Sequence, residues 1–361
     1  MGLLDLFNER HLVGLDIGVS GIKAVELTGK KNPRLVAYNR LPLPWDTIAA
    51  DGEITNRPVV VAALKKLFEF KGFTTKRVAI GATGNSIMTK KIAVPRMSAG
   101  DLSHQLYWEA EQYIPFNIND VNLDFAILGN SQQPNASGQP MMDVLLVAAK
   151  KDYIDTLTSI AKEAGLDCEV VDNQAFALGN AFEFNYGHVV DTSPGGSTNV
   201  ILDFGAGTTK FSVVEGDKTT FTRELRQSGL SCTLMLADRL GVGPEEAEKT
   251  KLTEGDSSAV RGVVGEHVHG LVEEISRTLD FFMTQSQEKA IQGIYLCGGA
   301  SRTQGLVEAL TEKMPSPVTA LNPVQNIAGS GRKMNAQAIR EIVFLGAVAI
   351  GLSLRIAGDS K

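Results

Sequence analysis

The sequence predicts an α/β protein built from two similar lobes that hold a ligand between them. An apolar run, an acid, a glycine-bearing turn and a second β-rich run occur at 13–27 (VGLDIGVSGIKAVEL) and again at 200–214 (VILDFGAGTTKFSVV). The two copies align an acid, a glycine and a lysine: Asp16, Gly18 and Lys23 with Asp203, Gly205 and Lys210. A third glycine turn follows a strand-like run at 291–301. Because internal repetition signals a duplicated architecture, we expect two lobes of the same kind.

Each copy is interpreted as a β-hairpin whose turn binds an anion. Glycine supplies positive φ and lets a ligand approach the backbone closely. Consecutive backbone N–H groups in such a turn form an anion site. An acid beside the turn would repel a bare phosphate, so it predicts a cation or a held water. One copy alone would favour the interpretation as an ordinary hairpin. Two matched copies favour a site in which both lobes bind a polyphosphate and its metal.

Composition and charge narrow the class of protein. The chain has 361 residues, which suits two to three domains, with 43% hydrophobic residues, 21% charged residues and a net charge of −6. That charge gives no reason to expect nucleic-acid binding. The three cysteines lack metal-site spacing and suit a reducing compartment. The histidines are scattered along the chain and predict no metal site.

The sequence is expected to be cytoplasmic, with only indirect membrane association through partners. The apolar stretch at 2–7 is too short for an export signal and is interrupted by Asp5. Residues 1–10 are interpreted as a mobile tail or a local lid, with contact to a membrane as a further alternative. The longest apolar run, at 342–354, is shorter than the about 20 residues that span a bilayer.

The first lobe is predicted at 1–87 together with 165–197. Its elements follow the order βββαβ: the first hairpin at 13–27, a strand at 34–43, a helix at 58–70 and a strand at 77–81. Proline opens the helix, and its apolar residues recur at helical spacing.

The pattern then changes over 88–164, which we interpret as an inserted subdomain, although an extension of the first lobe explains it equally well. The predicted elements are strands at 88–94, 124–128 and 143–149 and helices at 98–113 and 151–164. Ser98 is expected to cap the first of these helices. No phosphate-type loop occurs in this stretch.

A strand at 166–171 and a helix at 172–184 lead to the second lobe, predicted at 198–228 with 291–361. Between these two parts lies a helical subdomain at 229–290. The remaining predicted elements are helices at 231–240, 244–251, 259–284, 306–313 and 341–354 and a strand at 291–297. Thr303 is a candidate cap for the helix at 306–313.

Three glycine loops at strand ends are the candidate ligand site. Two loops would hold phosphates and the third, at 298–301, would lie against a nucleoside, because glycine lets a flat ring approach the backbone. Glu245, Glu248 and Lys249 share one helix face and either bond a ribose or base or form a solvated charged face. Hydrolysis would further need a held metal and a positioned water.

Candidate catalytic residues are the two repeated acids and the start of the helix between the lobes. Asp16 and Asp203 are expected to anchor Mg²⁺ through water, because Mg²⁺ keeps most of its hydration shell. Asn173 and Gln174, with Asp172, lie where a water could be oriented. For Asp172, capping of the helix is the competing interpretation.

The ordered set of motifs resembles the actin-like ATPase superfamily. Within it, the insertion looks like that of the FtsA branch, and five stretches look like the PilM family of type IV pilus assembly proteins. These stretches are VGLDIGVSGIKAVEL, WEAEQYIPF, VVDNQAFALGNAFEFNY, ILDFGAGTTKFSVV and FLGAVAIGLSLR. The resemblance runs over nearly the whole chain in the right order. It implies an actin-like (ribonuclease H-like) fold with duplicated lobes and an FtsA-type inserted subdomain.

The resemblance also implies ligands and partners. ATP with Mg²⁺ would bind between the lobes at three sets of residues: Asp16, Gly18, Ser20, Gly21 and Lys23; Asp203, Gly205, Gly207, Thr208, Thr209 and Lys210; Gly298, Gly299 and Ser301. The short cytoplasmic N-terminal tail of the membrane protein PilN would bind a groove that involves the insertion, where 108–116 is the candidate stretch. Implied too are a place at the inner face of the cytoplasmic membrane, contacts with pilus platform proteins and pilus motor ATPases, and homo-oligomers.

Three functions are compatible with these motifs. The first is a nucleotide-dependent scaffold with weak or absent ATPase activity, since no unambiguous catalytic acid or glutamine stands out at 172–174. The second is a filament-forming cytoskeletal ATPase like FtsA or MreB, which ATP-dependent pelleting would reveal. The third is a small-molecule kinase of the same superfamily, which would need an acceptor pocket with a general base.

Overall fold

A computed structural model describes residues 11–29, 32–131, 134–135, 137–187, 197–255, 257–286, 290–328 and 336–358. The strands are β1 (Val13–Gly18), β2 (Gly21–Thr28), β3 (Arg34–Pro42), β4 (Arg77–Ala82), β5 (Ile87–Pro95), β6 (Val121–Asn130), β7 (Met141–Lys150), β8 (Asp167–Asn173), β9 (Thr198–Phe204), β10 (Thr209–Glu215), β11 (Lys218–Leu225), β12 (Ile291–Cys297) and β13 (Val318–Ala320). The helices are α1 (Arg57–Phe68), α2 (Ala99–Ala110), α3 (Lys151–Glu163), α4 (Gln174–Tyr186), α5 (Gly229–Leu240), α6 (Pro244–Thr253), α7 (Ser258–Gln285), α8 (Leu306–Lys313), α9 (Ala336–Leu345) and α10 (Ala347–Ser353).

The two lobes have the same sheet. In the first, the strand order is β3-β2-β1-β4-β8, and in the second it is β11-β10-β9-β12-β13. Each sheet begins with three antiparallel strands and continues with parallel neighbours. The predicted hairpins are β1–β2 and β9–β10, so the repeated turns project from the middle of each sheet. The predicted duplication is confirmed as a repeated topology.

Helices α4 and α10 lie between the lobes. Every residue of α10 is buried. An added Cβ at Gly351 would lie 1.7 Å from the carbonyl oxygen of Ala177 on α4, so glycine is what allows the two helices to touch. On its other side α10 lies on β1, where an added Cβ at Gly14 would lie 1.9 Å from the carbonyl oxygen of Ala349. The two helices therefore fix how the lobes are joined.

The inserted sheet is a separate layer. Its strands pair antiparallel in the order β5-β7-β6, and its apolar face packs on α2 through residues such as Leu102 and Leu146. Helix α3 does not pack there, since its Leu157 and Ile160 belong to the core of the first sheet. We therefore propose that the inserted unit ends near residue 150 and not at 164, because α3 buries its apolar face against α1 and β8.

Several predicted boundaries differ from the structure. The predicted helix at 98–113 ends at Ala110 as α2, with Ser98 as its cap as expected. The predicted helix at 341–354 is two helices, α9 and α10, which are interrupted at Gly346. The interruption arises because the carbonyl oxygen of Phe344 accepts from the N–H of Gly298 at 3.0 Å. Strands β11 and β13 were not predicted. Capping by Thr303 is wrong, since the N-cap of α8 is Gly305 and no side chain caps the helix.

No helix within the described ranges combines the length and the apolar character that crossing a bilayer requires. The stretches predicted as a tail or lid (1–10) and most of the polar connection at 187–198 lie outside the described residues.

Candidate nucleotide-binding cleft

Each hairpin presents an acid opposite a lysine. Antiparallel register places Asp16 directly across from Lys23 and Asp203 directly across from Lys210. Lys23 Nζ donates to Asp16 Oδ2 at 3.0 Å, and Lys210 Nζ lies 3.9 Å from Asp203 Oδ2. The sheet register therefore explains why acid and lysine recur at the same spacing in both copies.

The two turns meet across a cleft between the lobes. An added Cβ at Gly207 would lie 2.5 Å from the carbonyl oxygen of Ala50 and 2.7 Å from Cγ2 of Val19, both in the first lobe. Glycine is required here because the second lobe's turn touches the first lobe backbone to backbone. The cleft encloses about 760 Å³, a volume within the range of small-molecule sites.

The third loop closes onto Asp203. Gly298 has φ 87°, and an added Cβ there would lie 2.4 Å from Asp203 Oδ1. The Ser301 hydroxyl donates to the carbonyl oxygen of Gly298 at 2.7 Å and so holds the loop's shape. Beyond it, the Arg302 guanidinium lies 5.3 Å from the centre of the Phe344 ring.

Fourteen of the predicted site residues line this cleft, and they come from both lobes. They are Asp16, Gly18, Ser20, Gly21, Lys23, Gln174, Asp203, Gly205, Gly207, Thr208, Lys210, Glu248, Gly298 and Gly299.

The other five predicted residues do not line the cleft. Asn173 caps α4 by accepting from the N–H of Ala175, and Thr209 donates to the carbonyl oxygen of Gln227. Ser301 is buried within its own loop, and Glu245 and Lys249 are exposed on α6.

At the start of α4, residues 172–174 have three different roles, which the sequence alone did not distinguish. Asp172 lies within β8 and pairs with Arg355 at 2.6 Å. Its interpretation as the cap of the helix is wrong, because Asn173 takes that role. Gln174 Nε2 donates to Asp16 Oδ1 at 3.2 Å. Of the three, Gln174 alone lines the cleft, and its amide already positions the first lobe's acid.

Electrostatics distinguish the second acid. Burial raises the pKa of Asp203, with Lys210 opposing the shift and Asp16 adding to it. Burial likewise raises the pKa of the neighbouring Cys297 thiol well above its ordinary value. Taking a carboxylate out of water favours its neutral form unless a cation is close. A divalent cation near Asp203 would therefore stabilise the ionised carboxylate that the fold buries.

The donor set fits Mg²⁺ held largely through water and phosphate. Among the residues that the structure describes, no cluster of three or more His, Cys, Asp or Glu could hold a metal directly. Two carboxylates from opposite lobes, beside two glycine turns, match the preference of Mg²⁺ for one or two carboxylates plus substrate phosphates.

Sequence reasoning missed several residues that line the cleft, among them Arg40, Trp45, Glu224, Thr233 and Lys251. Lys251 Nζ pairs with Glu248 at 2.6 Å and donates to the Thr233 hydroxyl at 2.6 Å, which ties α6 to α5. Lys251 lies three residues after Glu248, so helix spacing could have found it. Arg40 and Glu224 depend on strand register, which no local signal provides.

Gly298→Ala is expected to destabilise the chain by about 2 kcal/mol more than Gly305→Ala, since overpacking typically costs about 1–3 kcal/mol. Both glycines have positive φ, but Gly305 has open space where a Cβ would be, whereas Gly298 faces Asp203. Urea unfolding of both variants separates the shared backbone strain from the clash. An added Cβ at Gly298 would also lie 2.5 Å from the carbonyl oxygen of Phe204. Equal losses of stability would show that the contacts with Asp203 and Phe204 do not constrain the loop.

Comparison with known proteins places these features in context. Residues 14–357 match the family model described as type IV pilus assembly protein PilM. The chain is similar to a solved structure described as a PilM-PilN type IV pilus biogenesis complex, with 28% identity over 96% of this chain and 98% of that one and a TM-score of 0.83. A more distant likeness is the ethanolamine utilization protein EutJ from Carboxydothermus hydrogenoformans, with 14% identity over 95% and 89% of the two chains and a TM-score of 0.54.

Proposed function

The chain belongs to the type IV pilus assembly protein PilM family, and we propose that it is an ATP-binding, actin-like scaffold of the pilus inner-membrane complex. In this proposal it works in the cytoplasm, at the inner face of the membrane, and its nucleotide state alters how it holds its partners. The observation that carries the proposal is the pair of acid–lysine hairpins that face each other across one cleft.

The cleft supports ATP as the ligand. Backbone N–H groups at 18–21 and 205–208 would bind phosphates, as glycine turns do in other phosphate sites. Lys23 and Lys210 would balance the charge, and Asp16 and Asp203 would hold Mg²⁺ through water. The bound ion would neutralise phosphate charge. Gly298 and Gly299 would lie against the nucleoside, with Glu248 and Lys251 on its other side.

The same residues favour binding over rapid hydrolysis. A fast ATPase needs a group that orients the attacking water. Gln174 is already bonded to Asp16, Asn173 caps α4, and Asp172 is paired with Arg355. We therefore propose slow or absent turnover.

The partner proposal rests on the similar PilM-PilN complex. We place the N-terminal cytoplasmic tail of PilN at the inserted subdomain. In the candidate stretch 108–116, Ile114 is buried and Tyr113 lies under Lys90, whereas the Trp108 side chain is 74% exposed and stacks edge-on with Tyr107. Trp108 is therefore the residue of this stretch that is best placed to meet a peptide.

Strand β11 offers a route from the cleft to the insertion. At its cleft end, Glu224 accepts from the Thr83 hydroxyl at 2.6 Å, in the turn that leads to β5. Further along, the hydroxyls of Thr222 and Thr89 lie 2.5 Å apart, and Lys218 Nζ donates to the carbonyl oxygen of Ile127 at 3.1 Å. A nucleotide that moves the second lobe would therefore move its contacts with β5 and β6.

The experiment measures the affinity of a synthetic PilN-tail peptide with and without saturating ATP and Mg²⁺. In the wild-type chain we expect the two affinities to differ by about fivefold or more, the usual size of coupling between sites. In the double variant Thr222→Val/Lys218→Ala we expect the ratio of the two affinities to fall towards one. The two changes remove the side-chain hydrogen bonds from β11 to β5 and β6 and leave the insertion's own residues intact.

Thr311→Val/Lys313→Ala is the matched control, since these residues lie on α8 and contact Val307 and Glu273 instead of the insertion. The chain has two tryptophans, so Trp108→Phe leaves Trp45 to report ATP in the cleft and Trp45→Phe leaves Trp108 to report the peptide. A wild-type chain that binds both ligands with no mutual effect would contradict the coupling. Absence of peptide binding would contradict the partner.

A further inference from the structure

In each lobe a third charged residue lies beside the acid–lysine pair, on the next strand of the sheet. The third residue is a cation in the first lobe and an anion in the second. The strand register places Arg40 on β3 directly opposite Lys23 on β2 in the first lobe. In the second lobe it places Glu224 on β11 directly opposite Lys210 on β10. All of these side chains line the cleft. The first lobe's row is Asp16–Lys23–Arg40, with net charge +1 when ionised, and the second lobe's row is Asp203–Lys210–Glu224, with net charge −1.

The third members also differ in their partners. The Arg40 guanidinium makes no hydrogen bond or ion pair with any residue that the structure describes, whereas Lys23, Lys210 and Lys251 each lie within 4 Å of an acid. The cleft therefore contains a cation that is free to pair with an anion, on the lobe whose acid is already bonded to Lys23 and Gln174.

Glu224, the third residue of the second lobe's row, differs from Arg40 because it is an anion that already accepts hydrogen bonds. Its Oε1 accepts from the Thr83 hydroxyl at 2.6 Å and from the N–H of Gly84 at 3.0 Å. Both bonds fall on one oxygen, so Oε2 has no partner among the described residues and is available to accept from a metal-bound water. With Asp203 two strands away in the same row, the second lobe presents two carboxylates around one lysine.

We propose that the third members of the two pseudo-equivalent rows divide the work of binding: Arg40, in the first lobe's row, binds phosphate, and Glu224, in the second lobe's row, joins Asp203 in holding the hydrated metal. Asp16 keeps the water-mediated metal contact proposed above. The inference rests on the proposed binding of ATP with Mg²⁺ and assigns Arg40 and Glu224 roles that the repeated motif does not include. The physical reason is charge: a polyphosphate is attracted to the row with an unpaired guanidinium, and a hydrated Mg²⁺ is attracted to the row with excess carboxylate.

The test measures ATP affinity by calorimetry in Mg²⁺ and again in EDTA, and compares the ratio of the two affinities. Arg40→Gln is expected to weaken binding about tenfold under both conditions, the usual effect of one charge-assisted hydrogen bond, and to leave the ratio unchanged. Arg40→Lys is expected to recover part of the loss, because it restores the charge without the planar fork.

Glu224→Gln is expected to act only in Mg²⁺ and to reduce the ratio about tenfold, in line with the loss of a group that holds a metal's ligands. Glutamine keeps an oxygen that can accept from Thr83 and Gly84, so the contact between the lobes is retained. Arg34→Gln, on the same strand as Arg40, and Glu312→Gln, exposed on α8, are the matched controls and are expected to change neither affinity.

The outcomes separate two failures. A wild-type chain that binds no nucleotide in either condition overturns the proposed function, and the assignment of the rows with it. A wild-type chain that binds ATP, with Arg40→Gln changing the Mg²⁺ ratio or Glu224→Gln weakening both conditions equally, leaves the cleft as the site and overturns the division between the rows.

Discussion

Asp203→Asn is expected to lower the affinity for ATP in Mg²⁺ by about 100-fold, the upper end of what loss of a metal-supporting group costs. Asparagine keeps the size of the side chain, so the buried position stays filled, but it loses the charge that would hold hydrated Mg²⁺. The affinity in EDTA should change much less. Calorimetry of the purified variant measures both values.

The pH dependence gives the same prediction a second readout. Since burial raises the pKa of Asp203, its carboxyl takes up a proton at a higher pH than an exposed aspartate does. Binding of ATP with Mg²⁺ in the wild-type chain should therefore weaken as pH falls through that raised pKa, and Asp203→Asn should remove this component. Asp143→Asn, which replaces an acid paired with Lys91 on the inserted sheet, is the control. Wild-type affinity in the Asp203 variant would refute the metal assignment.

Gly351→Ala is expected to cost about 3 kcal/mol of unfolding free energy or more, at or beyond the upper range of overpacking. The added methyl would lie 1.7 Å from the carbonyl oxygen of Ala177, which is backbone and cannot rotate away. Helix α10 would have to move off α4, and all of α10 is buried. The joint between the lobes would therefore be disrupted.

Gly262→Ala is the matched control for this prediction. Gly262 lies within α7 with open space where a Cβ would be. There alanine should stabilise the chain by about 0.5–1 kcal/mol, because glycine is a poor helix former. Urea or thermal unfolding of the two variants should give shifts of opposite sign. A stability loss below about 1 kcal/mol for Gly351→Ala, the lower end of the overpacking range, would mean that α4 and α10 are less tightly packed than the 1.7 Å approach requires.

Much of the fold could be predicted because it follows from the spacing of residue types over short stretches of the sequence. The repeated Asp–Gly–Lys spacing predicted two hairpins, and the shared sheet order confirms that they are equivalent parts of two lobes. The bounds of β12 and α8 were also correct, since an apolar strand run and helical spacing are short-range signals.

What could not be predicted depends on contacts between distant residues. The break at Gly346 exists because the loop at Gly298 takes the carbonyl oxygen of Phe344. Helix α3 follows strand β7 of the inserted sheet in sequence but packs in the first lobe's core. Both facts are tertiary, and helical spacing alone gives no sign of either.

The same limit applies to the candidate site. The turn residues were found because their types and spacing repeat. Arg40 and Glu224 enter the cleft through strand register, which a one-residue shift would reverse. Glu245 and Lys249 were predicted with Glu248, yet the orientation of α6 leaves those two exposed and turns Glu248 inward with Lys251.

A crystal structure of the chain with a non-hydrolysable ATP analogue and Mg²⁺ tests the central claim most directly. We predict that the phosphates lie within hydrogen-bond distance of backbone N–H groups from both turns, at 18–21 and 205–208, with the nucleoside against Gly298 and Gly299. A nucleotide bound elsewhere, or touching the turn of only one lobe, would contradict the account.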